Sequence, residues 1–161
     1  QGAFGLAETL KIPRREAKAI IEAYFAEFAD LKAYQTEVVE RAKESGYVET
    51  ILGRKRWLPD ITSANAVVRG FAERNAINAP IQGSAADIIK VAMVRIQEAL
   101  QSSSLKARMI LQVHDELVFD VPKDEVEALT VLVREHMEGA VELAVPLDVE
   151  VETGVHWLEA H

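Results

Sequence analysis

Histidine, aspartate and glutamate stand together at positions 114–116, between two runs of strand-forming residues in MILQVHDELVFDV, Met109 to Val121. Carboxylate oxygens are hard donors and the usual ligands of Mg²⁺, or of Mn²⁺ as its substitute. Asp115 and Glu116 are adjacent, and adjacent strand residues point to opposite faces. One of them therefore faces the chemistry and the other is peripheral. A lone carboxylate does not make a two-metal site, so a second must come from elsewhere. Two-residue hairpin turns favour Asn-Gly or Gly-X, which makes His-Asp-Glu poor turn chemistry. Local rules of this kind tend to be broken at functional sites. From the pattern alone, a solvated turn whose charges aid solubility is the commoner meaning of such a trio.

A second group is Arg74, Asn78 and Gln82 in ERNAINAPIQGSAAD. Steps of four residues rotate about 400° on a helix, so the three form a slowly drifting stripe on one face. All three donate hydrogen bonds. A row of donors suits the minor groove of a duplex, where every base pair offers purine N3 or pyrimidine O2 as acceptor. Such donors test base-pair geometry without reading sequence. The plainer alternatives are a polar helix face, or a helix start at Gly83, Ser84 and Asp87. Arg54, Lys55 and Arg56, followed by Trp57, could grip phosphates with the indole stacking; alone they read as a basic surface turn. His136, in an apolar stripe, and His156, beside Trp157, read as packing residues, and Met93 and Met109 as core.

The elements that must position these groups follow from periodicity. Ala17, Ile20, Ile21, Tyr24, Phe25 and Phe28 give a helix over about 14–29, with Pro13 at its first turn. A second helix over 31–45 ends at Gly46. Tyr47 to Ile51 and the return arm carrying the basic triplet predict a short hairpin punctuated by Gly53, and DITSAN a loop. From Asn65 to Leu100 the pattern is helical, with Ala85, Ile88, Ile89, Ala92, Met93, Ile96 and Leu100 on one face and a kink or break expected at Pro80. The runs on either side of residues 114–116 form a hairpin with both faces largely covered. A helix is expected over about 123–143, and a half-buried strand through Leu147, Val149 and Val151. Helices on one side of a small antiparallel sheet define an α+β fold.

The chain has 161 residues, 49% hydrophobic and 27% charged, with no cysteine. Disulfide frameworks and thiolate metal sites are excluded. No apolar run approaches a membrane span, so no membrane partner is expected, and a reducing cytoplasm is the default compartment. The net charge of −8 argues against a strong nucleic-acid binder if taken as an average. The basic residues are clustered, however, at 54–56, Arg69 and Arg74, and much of the acid follows Asp115. The chain opens on QGAFGLAETL without methionine, as a piece of something longer would.

Together these motifs resemble the family A DNA polymerases, the bacterial polymerase I type. QVHDELVFDV resembles that family's motif C, and ERNAINAPIQGSAADIIKVAM the long helix before it. GYVETILGRKRWLPDI is similar to the segment between fingers and palm, and GVHWLEAH to the C-terminal end. The resemblance runs along essentially the whole chain. It implies that Asp115 is the motif C aspartate that binds catalytic metal, Mg²⁺ or Mn²⁺, and that Glu116 is the less critical carboxylate beside it. It implies that His114 sits by the primer terminus, that Arg74, Asn78 and Gln82 contact template and primer, and that Arg54, Lys55 and Arg56 lie along the DNA backbone. The implied partners are primer–template DNA, a dNTP and the remainder of the polymerase chain. The family's other metal aspartate, in motif A, and its fingers helix would lie before Gln1. Residues 1–64 are then expected to be fingers-derived helices and a small hairpin, and residues 65–161 the long helix and palm portion. The chain alone is expected to be inactive. Its rivals are a stand-alone nucleic-acid-binding module without catalysis and a purely structural scaffold.

Overall fold

Pro13 stands just ahead of a helix that its fixed φ and missing N–H favour. A computed structural model of the protein describes residues 2–160. Gln1 and His161, the last residue of GVHWLEAH, lie outside the described residues. The helices are α1 (Ala3–Leu10), α2 (Arg14–Glu27), α3 (Ala29–Ser45), α4 (Ala66–Ser102) and α5 (Val126–Glu138). Two antiparallel hairpins complete the set: β1 (Tyr47–Glu49) with β2 (Lys55–Trp57), and β3 (Arg108–Val113) with β4 (Glu116–Asp120). The α+β class holds. Among the described residues no helix is long and apolar enough to cross a membrane.

The chain forms two compact units, residues 1–49 with 55–80, and residues 50–54 with 81–161. They divide within α4, just after Pro80. The first unit is organised around Ala42 of α3, Val48 of β1, Leu58, Ile61, and Ala72 and Ala76 of α4, all buried. Alanines at three of these positions let backbones approach closely. α2 and α3 are separate helices, broken at Phe28, where ψ rises to 60°. Gly46 ends α3 in the left-handed region at φ +78°, as a glycine C-cap does. Asn65 caps α4, its Oδ1 accepting from the N–H groups of Val67 at 3.0 Å and Val68 at 3.4 Å. The apolar face of α2 was legible, but of its members only Ala17 is fully buried. Ile20, Tyr24 and Phe28 are exposed, and the rings of Tyr24 and Phe28 meet at 4.9 Å.

The second unit packs the C-terminal half of α4 against α5. Ala92, Ile96 and Leu100 meet Leu129 and Val133, with Ala107 and Ala140 closing the core. Leu117 and Phe119 of β4 pack against this cluster. Glu125 holds the start of β3, one carboxylate oxygen accepting from the amides of Lys106 at 2.8 Å and Ala107 at 3.1 Å. Arg95 donates to the carbonyl of Gly139 just past α5, satisfying a helix-end acceptor.

Three expectations are corrected and one is narrowed. Helix α4 runs through Pro80 without the break that was one of the two expected outcomes. A mid-helix proline costs about 3 kcal/mol, but anchoring on both sides, by Ala72 and Ala76 in one unit and by the residue 50–54 turn in the other, overrides that local penalty. Helix α5 stops at Glu138, ahead of Gly139, well short of residue 143. The segment through Leu147, Val149 and Val151 is not a strand. Its residues do alternate between half-buried and exposed, but among the described residues no strand pairs with it, and a strand needs a ladder partner. The faces of the β3–β4 hairpin are not both covered: Ile110 is 56% and Leu111 42% exposed. A bulge between Met109 and Leu111 changes the phase of β3 there, which sequence alternation does not foresee. Helix α1 was not expected at all.

Candidate active site and nucleic-acid interface

The tip of the β3–β4 hairpin is a two-residue turn, His114–Asp115, because Val113 pairs directly with Glu116. Asp115 therefore sits in the turn and Glu116 opens β4. The expectation that both lie on one strand is corrected, and their different settings follow from the turn itself. His114 has φ +53°, a left-handed conformation that this position of a tight turn reserves for glycine. A side chain there costs roughly 1–2 kcal/mol. Gln112 braces the strained turn, its Nε2 donating to the His114 carbonyl at 2.8 Å. Gln112 was not singled out from the sequence, although its place two residues before the tip was a usable signal. Asp115 and His114 are exposed and Glu116 is half-buried.

Among the described residues no three histidines or carboxylates come together to hold a metal. The tip instead offers one exposed carboxylate with a second beside it. That donor set fits Mg²⁺, which keeps several waters and uses one or two carboxylates together with substrate phosphates. It does not fit a closed all-protein cage.

In the first unit Arg74 and Asn78 are exposed, Arg74 about 200° around α4 from the buried Ala72 and Ala76 and Asn78 about 200° from Ala76. The Arg74 guanidinium lies 5.9 Å from the Phe71 ring. In the second unit Gln82 is exposed. Gly83, Ser84 and Asp87 are interior to α4 and start no helix.

The basic triplet is divided by its partners. Arg56 is exposed on β2 opposite Val48. Lys55 lies over the Tyr47 ring at 4.1 Å and 3.7 Å from Glu49 Oε1. Arg54 faces inward to α4: its Nε donates to Asp87 Oδ1 at 2.8 Å, and its Nη2 to the Gly83 carbonyl at 2.9 Å. The turn around it is self-closed. The Thr50 N–H donates to the Arg54 carbonyl, the Arg54 N–H to Thr50 Oγ1, and the Gly53 N–H, at φ +80°, to the Thr50 carbonyl. The Ile51 N–H donates to Ser84 Oγ at 2.8 Å.

Asp87 was not singled out from the sequence except as a helix-start residue. It is 9% exposed. The facing Thr50 hydroxyl first, and Arg54 next, hold its pKa below the ordinary aspartate value against the opposing effect of burial. A carboxylate with a depressed folded pKa adds stability that is full above the ordinary value of 3.8 and is lost as pH falls through its lower folded value. Asp87→Asn is therefore expected to flatten the fall in thermal midpoint below about pH 4. An unchanged acid limb in the variant contradicts this.

Gly83 is required by close approach. A Cβ there would stand 2.6 Å from Thr50 Cγ2. In an open helix Gly→Ala gains about 0.5–1 kcal/mol; here overpacking costs about 1–3 kcal/mol. Gly83→Ala should destabilise by about 1 kcal/mol or more, and Thr50→Ser, which removes Cγ2 and keeps the hydroxyl, should restore stability in the Gly83→Ala background. Urea titration of the four proteins checks both signs.

A long helix bearing exposed hydrogen-bond donors is followed by a hairpin that carries a carboxylate at its tip, within an α+β fold. The chain belongs to DNA polymerase family A, whose model matches residues 1–159. It is 51% identical over 157 residues to a DNA polymerase I of Lactococcus lactis and 54% identical to that of Geobacillus stearothermophilus, covering 98% of this chain in each case. Among solved structures it is similar to the POL domain of Pol1 from M. smegmatis in complex with DNA primer-template and dNTP. That match has a TM-score of 0.96 and 51% identity, and covers 99% of this chain and 28% of that one. The chain spans 18% of the length of these curated relatives.

Proposed function

We propose that this chain is the part of a template-directed DNA polymerase that holds the primer terminus and supplies one of two metal-binding aspartates, in DNA replication and repair. The observation that carries the reading is the strained turn that presents Asp115, with His114 left-handed and Gln112 bracing it. Strain of this kind persists where surrounding structure enforces it, and it clusters at functional sites. The reaction is attack of a primer 3′-hydroxyl on the α-phosphorus of a dNTP, with pyrophosphate leaving. Bound Mg²⁺ supplies stabilisation of charge on the attacking and leaving oxygens. Asp115 holds metal, Glu116 is the peripheral carboxylate, and His114 lies against the primer terminus. Arg74, Asn78 and Gln82 donate to template and primer, and Lys55 and Arg56 face the DNA backbone. The protein's share of the work is positioning and fixed electrostatics. One aspartate does not make a two-metal site, so the 161-residue chain by itself does not extend a primer.

The test is primer–template affinity and dNMP incorporation in the full-length protein. Gln82→Ala should weaken duplex binding by about fivefold to tenfold, the worth of one good hydrogen bond, with an unchanged salt slope. Arg56→Ala should reduce the slope of log K against log salt by about one. Duplex binding with this salt dependence but no metal-dependent incorporation would favour the binding-module reading instead.

A further inference from the structure

Arg54 belongs to the basic triplet, yet two of its guanidinium nitrogens bond to α4 although the side chain is 53% exposed. Three bonds tie the residue 50–54 turn to one turn of α4: Arg54 Nε to Asp87 Oδ1, Arg54 Nη2 to the Gly83 carbonyl, and the Ile51 N–H to Ser84 Oγ. Gly83 has no room for a Cβ beside Thr50. This stretch of α4 is where the helix is intrinsically weakest. Pro80 removes an amide donor there, and Gly83 lacks the side chain that would stiffen the backbone. Gln82 lies between these two residues.

We infer that Arg54 is a positioning residue rather than a phosphate contact: its fork locks the residue 50–54 turn onto α4 and so fixes the direction in which Gln82 is presented. Both nitrogens that bond are on one rigid, planar group, and Lys cannot reproduce the pair. Asp87 is the charged counterpart, a buried carboxylate on the helix that accepts from Arg54 Nε, while the Gly83 carbonyl accepts from Nη2. The function of the clamp rests on the reading that Gln82 touches the duplex, but the clamp itself is geometric.

The experiment is a double-mutant cycle on primer–template binding in the full-length protein, using Arg54→Ala, Arg54→Lys and Gln82→Ala, with amide exchange at Ile51. Four results are expected. Arg54→Ala leaves the salt slope unchanged. The effect of Gln82→Ala shrinks to less than twofold in the Arg54→Ala background. Arg54→Lys, which keeps the charge, fails to restore that effect. Ile51 exchange quickens at least tenfold in both Arg54 variants. A salt slope lowered by about one in Arg54→Ala, and kept in Arg54→Lys, identifies a phosphate contact and overturns the inference. Additive effects of Arg54 and Gln82 overturn it as well. If Gln82→Ala alone has no effect on binding, the functional reading of Gln82 fails; Ile51 exchange still decides whether Arg54 makes the clamp, and an unchanged rate overturns it.

Discussion

Asp115→Ala in the full-length protein is expected to cut primer extension by about a thousandfold or more while leaving primer–template affinity within a few fold. A catalytic metal is worth several kcal/mol of charge stabilisation in the transition state, and about 4 kcal/mol is a factor of a thousand in rate. The loss is large because the tip has no substitute ligand. Glu116 opens β4 and is half-buried, so it cannot take the position of a residue in the turn. Among the described residues no cluster of three or more carboxylates or histidines could hold the ion instead. Asp115→Asn should fail nearly as badly, since it keeps the shape and loses the charge. Glu116→Ala should cost far less, about tenfold, the scale of a single indirect electrostatic contact. Raising Mg²⁺ should not rescue Asp115→Ala. Single-turnover incorporation measured beside duplex affinity separates the cases. Retention of activity within tenfold in Asp115→Ala would sink the metal role. Measurable extension by the 161-residue chain alone would sink the requirement for a second aspartate.

What could be seen in the sequence was what depends on neighbours in the sequence. The spacing of Ala92, Ile96 and Leu100 placed a helix and its buried face correctly, because burial repeats with the helical turn. The hairpin about residues 114–116 was legible from two β-prone runs, and its poor turn chemistry marked the tip as worth attention. The family, once its motifs were recognised, was legible across the whole chain. What escaped was set by groups far apart in sequence. Arg54 and Asp87 are 33 residues apart, and nothing in a basic triplet says that its first member turns inward. The bulge in β3 inserts one residue into a pairing that alternation alone takes to be regular. Residues 147–151 alternate as a strand does, but a ladder needs a partner as well as a pattern. Pro80 does not break α4, where neighbours on both sides of it hold the helix.

The second large effect is on stability. Ile96 is fully buried, at 0% exposure, and lies at the centre of the second unit's core. Ile96→Ala should cost about 3–4 kcal/mol, in the middle of the range for isoleucine truncated in a packed interior. Ala92, Ala107 and Ala140 of the same cluster are too short to fill the space. Ile96→Val, which removes one methyl group, should cost only about 1 kcal/mol. A loss of 3–4 kcal/mol is a large part of the 5–15 kcal/mol that holds a typical domain together. Its consequence reaches the tip: Leu117 and Phe119, on the strand that follows Asp115, pack on this same core. The hairpin's hold on Asp115 therefore loosens with the core, and primer extension in Ile96→Ala should fail at a lower temperature than in the parent, with activity in the cold nearly intact. Urea midpoints at constant m-value give the stability change. A destabilisation below 1 kcal/mol would mean that Ile96 is not the keystone of this core. Equal thermal limits of activity in the face of the full stability loss would mean that the tip is held by something other than β4.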